Sequence, residues 1–406
     1  MRERERERGR ERQRERERQT EREGAMGDQD VASKNRTVPV LTREDVEARM
    51  SEAEGPGIKA FYSSVYGGFT DDYGLMTLPI DDHQVHRGHA IFDTCHLIGG
   101  YHWGLEAHLD RFMRSSVIAR IDVARLPIFP GGKSAADLDS SLAADEAAAK
   151  VRSRIREILL ELFAFSGCSD GMARYWMSGG TGDFHVTAYE CTPSMHAMVV
   201  PMDWAKLMDE DGKGAMSVAT TDVPMKPPPY CVVKSTNYLQ NCHVQMAAKD
   251  KGADAGIFTY VNGDGETCVA EGQTVNCIFG TGSGKLVVPS FQYSLRGVTL
   301  LRLIELIKRE LAAGSLKTLT GVEIREVRLA EVLRMAAPGD AADDGSAEEV
   351  LTECMIVSSG NMGTHVTRWD GKLLPDTEFP CAKEVGRVLR DDMRPGGGSE
   401  YMAKIL

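Results

Sequence analysis

One stretch of the chain, residues 230–299, carries a lysine, a carboxylate and a helix start in chemically useful order. Lys234 closes a short apolar run, residues 231–233, and is followed by Ser-Thr-Asn-Tyr. Burial disfavours an ammonium, so a lysine in apolar surroundings is uncharged part of the time and acts as nucleophile and base. Glu271 ends a strand-like run and precedes Gly272 and a polar Gln-Thr-Val-Asn. Gly297, Val298 and Thr299 open a helix-like segment whose free amides attract an anion. A lysine that forms a Schiff base, an acid that pairs with a pyridine nitrogen and a helix start that takes a phosphate are the parts needed to use pyridoxal 5′-phosphate. Read without their context, Lys234 is a snorkelling side chain and Glu271 a turn carboxylate.

Periodicity outlines the elements that must position these groups. The spacing predicts a short polar helix over residues 41–55, with Thr42 as its cap, and a strand over 59–69 running into a Gly-Gly turn. Strands follow at 90–98 and 101–103 around Gly99-Gly100, then a helix from Leu105. Residues 126–145 read as a loop, and 144–165 as a helix with Val151, Ile155, Ile158, Leu159 and Leu162 in register. In the strand beginning at Gly171, Arg174, Trp176 and Ser178 share a face. Another strand covers 196–201. Lys226 and three prolines then stiffen the approach to a strand expected to carry Lys234. Beyond it come a helix at 237–251 closed by Gly252, a hairpin around Asn262-Gly263, and strands at 277–279 and 286–288. Helices are expected at 299–311, 329–333 and 383–393, an acidic loop at 336–349, and a buried strand at 354–357 ending in a small-residue turn.

Composition narrows the class. The 406 residues allow two ordinary domains, and 42% hydrophobic content fits a globular protein. A net charge of -12 argues against a dedicated nucleic-acid binder, and no run reaches the length of a membrane span. Nine scattered cysteines without a C-x-x-C pair read as reduced thiols inside a cell. Residues 2–23 alternate Arg and Glu, so they are expected to be solvated and without fixed fold. That run is too acidic for a transit peptide; the reading is a cytoplasmic protein, with a plastid as the alternative, whose translation could begin at Met26.

The segments VKSTNYLQN, VAEGQTVN and LRGVT, in this order, resemble the class IV (fold type IV) aminotransferases. HRGHAIFDT, SGCSDGMARYWMSGGTGDF and MKPPPYCVVKSTNYL are most similar to the plant-type D-amino-acid transaminases. The resemblance implies an α/β (α+β) two-domain fold: a disordered tail at 1–40, a small domain at 41–200, a large cofactor domain at 201–395 and a C-terminal tail at 396–406. It implies Lys234 as the catalytic lysine and Glu271 as partner of the ring nitrogen. It further implies Arg111, Val298, Thr299, Ser358 and Ser359 around the phosphate, Tyr238 at the phenolic oxygen and Leu295 against the ring. By its spacing Arg111 could equally be a surface arginine, and Tyr238 a core tyrosine. Phe92, Arg174, Trp176 and Gly360 are expected at the substrate, Gly360 through its amide alone. Bacterial relatives carry an arginine where this sequence has Gly179 and Gly180.

The implied activity moves the amino group of a D-amino acid such as D-alanine to a 2-oxo acid such as 2-oxoglutarate, in a homodimer. The alternatives are an aminodeoxychorismate lyase releasing pyruvate, a branched-chain L-amino-acid aminotransferase, and a non-catalytic cofactor-binding protein. Two further motifs resolve as decoys. His83, His86 and His89 are three apart, but no carboxylate-and-cysteine set completes a metal site, so no metal is expected. GTGSGK at 280–285 fails the phosphate-loop spacing and reads as a hairpin turn.

Overall fold

The computed structural model describes residues 37–204, 208, 215–336, 349–376 and 378–405. The expected tail up to residue 36 and most of the acidic loop at 336–349 lie outside the described residues. Two units are distinguished, ending and beginning at Glu54 and Gly55. The described part of the first is a solvated helix, α1 (Arg43–Ser51), with Thr42 and Asp45 forming a capping box.

In the second unit, hydrophobic alternation builds a seven-stranded antiparallel sheet. Its strands are β1 (Ala60–Ser63), β2 (Gly68–Thr70), β3 (Ala90–Ile98), β4 (Tyr101–Trp103), β5 (Gly171–Thr181) and β6 (Thr192–Pro201), with a last strand from the C-terminus. Ile91, Cys95 and Leu97 of β3, with Ala173, Tyr175 and Met177 of β5, share one core with two helices. These are α3 (Leu105–Ile118) and α5 (Ala144–Ser166); the one-turn α2 (His83–His86) and α4 (Ala135–Leu138) lie between strands and helices. α4 corrects the expected continuous loop at 126–145: Ser134 and Asp137 form a capping box that starts one turn. The alternate residues of β3 and β5 are left to face a cavity.

The second sheet has nine strands of mixed direction. In chain order they are β7 (Met216–Thr220), β8 (Ala255–Val261), β9 (Thr267–Gly272), β10 (Asn276–Thr281), β11 (Lys285–Pro289), β12 (Gly321–Arg325), β13 (Leu351–Ser358), β14 (Asn361–Trp369) and β15 (Lys372–Leu373). Met355 and Val357 of β13 pack on α7 (Val298–Ala313) and α9 (Pro380–Asp392), while Cys354 and Ile356 pack into the opposite core. Burial on both faces explains why β13 reads as one apolar run. α6 (Leu239–Asp250) lies against β8, and α8 (Leu329–Ala336) against β13. GTGSGK is the β10–β11 hairpin turn.

The expected C-terminal tail is corrected. Met402–Lys404 forms β16 and pairs with β4, Met402 opposite Trp103. The return is anchored by the buried Arg302, which donates to Asp392 at 3.0 and 2.7 Å and to Glu400 at 2.8 Å.

Candidate active site

The prolines before Lys234 shape its approach. Without backbone N–H groups they cannot extend a ladder, and the chain makes a single 3-10 turn, Tyr230–Val232, instead. The sequence expectation of a strand carrying Lys234 is therefore corrected. The Lys234 carbonyl accepts from the Phe92 amide at 2.9 Å, and the Thr236 amide donates to the Ala90 carbonyl at 2.9 Å. These two bonds fasten the lysine segment to β3 of the first sheet.

Lys234 is half-buried, with Nζ 4.6 Å from the Phe92 ring centroid. Burial, then the Arg111 charge, pushes its pKa down to about 8. Glu271 stands near the end of β9 and lines the same cavity. Burial pushes its pKa up to about 7, opposed by the Leu295 amide, which donates to Oε2 at 2.9 Å. The Ser294 hydroxyl also donates to Oε2, at 3.3 Å. One oxygen is thus held by the 294–295 loop, and Oε1 makes no hydrogen bond among the described residues. Asn276 steadies that loop, donating from Nδ2 to Ser294 Oγ at 3.1 Å and to the Leu295 carbonyl at 3.0 Å. Tyr238 meets Phe92 edge to face at 5.1 Å. Burial, then the Glu271 charge, holds its hydroxyl above the ordinary tyrosine range.

Arg111 projects from α3, where Asp93 of β3 receives it. Nε donates to Oδ2 at 2.8 Å and Nη2 to Oδ1 at 2.6 Å. His108, one turn earlier, places Nδ1 2.9 Å from the same Oδ1. Burial opposes the Asp93 charge, but Arg111 and His108 outweigh it and hold the carboxyl well below the usual range. The guanidinium is pinned by one edge, and its Nη1 makes no hydrogen bond among the described residues. Asp93, His108 and Asn276 escaped the sequence reading. A carboxylate inside an apolar strand, needing a buried cation as partner, is the signal that could have found Asp93.

All nine residues expected at the cofactor line one narrow cavity of about 90 Å³. Phe92, Arg174, Trp176 and Gly360 line an adjoining cavity of about 750 Å³, which shares Lys234 and Tyr238 with the first. Arg174 stands opposite Thr94 across β3 and β5, its guanidinium carbon 5.6 Å from the Phe92 ring centroid. It has no acidic partner among the described residues. Ser178 shares the strand but not the cavity; it hydrogen-bonds Ser194 at 3.0 Å. The Gly360 amide, the one group through which this glycine could serve, donates to Ser358 Oγ at 3.2 Å. At Gly180, φ is +94° and a Cβ would fall 1.7 Å from the Thr192 carbonyl oxygen. The bulge after Ser178 therefore excludes a side chain there.

The narrow cavity meets the demands of pyridoxal 5′-phosphate at its anionic end. Thr299 Oγ1 is buried without a hydrogen-bond partner, and no side chain caps the start of α7. A buried hydroxyl, unpaired helix amides and the free edge of Arg111 converge where a phosphate would lie.

A family model described as "Amino-transferase class IV" matches residues 90–335. The chain is 36% identical over 371 residues to the chloroplastic D-amino-acid transaminase of Arabidopsis thaliana, covering 90% of this chain and 85% of that protein. Its fold is similar to the branched-chain aminotransferase of Thermoproteus uzoniensis with norvaline, at a TM-score of 0.62 and 16% identity over 86% of this chain and 100% of the other. It is likewise similar to the branched-chain aminotransferase of Thermobaculum terrenum in its PLP form, with TM-score 0.62, 15% identity, and 87% and 100% coverage. The long family match and the near full-length relative place this chain among the class IV aminotransferases, enzymes that use pyridoxal 5′-phosphate to exchange amino groups between amino acids and 2-oxo acids.

Proposed function

We propose that the protein transfers the amino group of a D-amino acid, with D-alanine as the first candidate, to a 2-oxo acid such as 2-oxoglutarate. The observation that carries the reading is that Lys234 and Arg174 approach the same ring, Phe92, at 4.6 and 5.6 Å within one cavity. An amine and an unpaired guanidinium at that spacing suit a small molecule bearing both a reacting carbon and a carboxylate. The D preference is supported by the 36% identical relative; the branched-chain neighbours, at 15–16%, speak to the fold alone.

The bound cofactor supplies the electron sink that makes the substrate Cα–H acidic. Lys234, partly unprotonated near neutral pH, takes and returns the Cα proton. Glu271, fixed through Oε2, would pair with the cofactor's ring nitrogen and favour its protonated form. Arg111, Thr299, the first amides of α7, Ser358 and Ser359 would hold the phosphate, with Tyr238 bonding the phenolic oxygen and Leu295 packing on the ring. Arg174 orients the substrate carboxylate, and Phe92 and Trp176 form the apolar wall beside it. We also propose a homodimer, following the resemblance; sedimentation of the loaded enzyme tests it.

The test is product formation by cofactor-loaded enzyme with 2-oxoglutarate. Pyruvate from D-alanine, with no oxo acid from L-leucine, is expected. Product from L-leucine alone would replace this reading by the branched-chain one, and pyruvate from aminodeoxychorismate alone by the lyase. Lys234→Ala should lower transfer by about 10⁴-fold while phosphate-mediated cofactor binding persists; undiminished turnover would remove Lys234 from the mechanism.

A further inference from the structure

Away from the cofactor, the loop 182–191 between β5 and β6 is fastened onto α2. The Gly182 amide donates to Asp81 Oδ2 at 3.2 Å, and Arg87 Nη2 donates to the Phe184 carbonyl at 2.5 Å. The Ser194 hydroxyl donates to Asp82 Oδ2 at 2.5 Å. Beneath this seam lies His83, whose side chain is 0% exposed. Neither of its ring nitrogens has a hydrogen-bond partner among the described residues. Buried polar atoms are normally paired, and leaving both imidazole nitrogens unmet forfeits their hydration without return.

The nearest carboxylate is Asp183, whose Oδ1 accepts from the His185 amide at 2.9 Å. His83 Nε2 stands 3.7 Å from Asp183 Oδ1, too far for a hydrogen bond. That separation is close to the roughly 3.4 Å between two ligand atoms on a tetrahedral zinc ion, from bond lengths near 2.0–2.1 Å. The buried thiol of Cys191 completes the group: one ligand atom from each of the three residues lies within 4.8 Å of the others.

We propose that His83, Asp183 and Cys191 form a metal site, with Zn²⁺ as the cation and water at the fourth position. A neutral imidazole, a thiolate and a carboxylate are the nitrogen, sulfur and oxygen donors that zinc accepts together. Asp183, 19% exposed, leaves a path for the ion. The metal would clasp the 182–191 loop to α2, whose Gln84 lines the substrate cavity. The sequence reading set the histidine triplet aside because no carboxylate-and-cysteine set completed it. Folding supplies both to His83, while His89 is engaged elsewhere, with Nε2 2.7 Å from the Ala119 carbonyl.

The test uses full-length, cofactor-loaded protein freed of metal by a chelator and titrated with Co²⁺ and Zn²⁺. One equivalent per chain is expected, with the visible d–d bands of four-coordinate cobalt. X-ray absorption of the zinc form should give a single sulfur at about 2.3 Å. Cys191→Ser should abolish that sulfur and weaken binding by about 100-fold or more, since even groups behind the ligands are worth about 10–100-fold. His83→Gln should weaken binding similarly, with cofactor content reporting that the variant is folded. Cys242→Ser, at an exposed thiol, should leave binding unchanged. Sub-stoichiometric binding by the unaltered protein, or a Cys191→Ser protein that keeps the sulfur signal and the affinity, would overturn the site.

Discussion

Asp93 accepts hydrogen bonds from both Nε and Nη2 of Arg111, at 2.8 and 2.6 Å, with both side chains inside the protein. The pair links β3 to α3 and leaves the other edge of the guanidinium, with Nη1, free among the described residues, beside the narrow cavity that Arg111 lines. A buried arginine is tolerated there because its charge is compensated locally, and the compensating carboxylate also sets its angle.

Asp93→Asn should therefore injure the cofactor-free protein most. Leaving the Arg111 charge buried and unpaired costs about 3–5 kcal/mol. Urea unfolding of the free protein measures the loss. Adding the cofactor should recover part of it, because a bound phosphate supplies negative charge to the same guanidinium. Equal losses with and without cofactor would separate Arg111 from the phosphate.

Glu271 gives a pH signature. Its pKa, raised to about 7, lies above the unfolded value, so the folded protein binds the proton more tightly. Its contribution to stability is fully present below about pH 4.3 and is lost as pH rises through about 7. In the cofactor-free enzyme, Glu271→Gln should abolish this component of the decline, read as unfolding midpoint against pH. The same variant should lower transfer by about 100-fold or more, having lost the charge that keeps the ring nitrogen protonated.

Arg174→Met should raise KM for both the amino acid and the 2-oxo acid by about 10–100-fold, the worth of a charge-assisted hydrogen bond. Cofactor content should not change, since Arg174 lines only the larger of the two cavities. Steady-state kinetics on paired substrates decides it; an unchanged KM would move the carboxylate elsewhere.

Gly180→Ala should destabilise the protein by about 1–3 kcal/mol or more, because a side chain at φ +94° is strained and its Cβ would meet the Thr192 carbonyl. Denaturant unfolding measures this. The same result would explain why an arginine cannot be restored at this bulge to imitate the bacterial carboxylate site.

The sequence by itself determined the elements whose signals are local. The β3–β4 hairpin with its Gly-Gly turn, the long helix α5 and the helix α6 stopped by Gly252 follow from periodicity and turn chemistry between near neighbours. It also singled out residues that line both cavities: Lys234, Glu271 and the helix start by their own chemistry, and the others through the family resemblance. Strand β12 escaped notice because its residues are half-buried without alternation. β16 escaped because three residues carry too little pattern, and only pairing with β4 makes them a strand. Tertiary structure alone decided that Asp93 holds Arg111, that Lys234 is fastened to β3, and that Asp183 and Cys191 meet His83. Each of these depends on closing a loop between distant segments, and the shape of the packed core, not the spacing of residues along the chain, selects which distant partners meet.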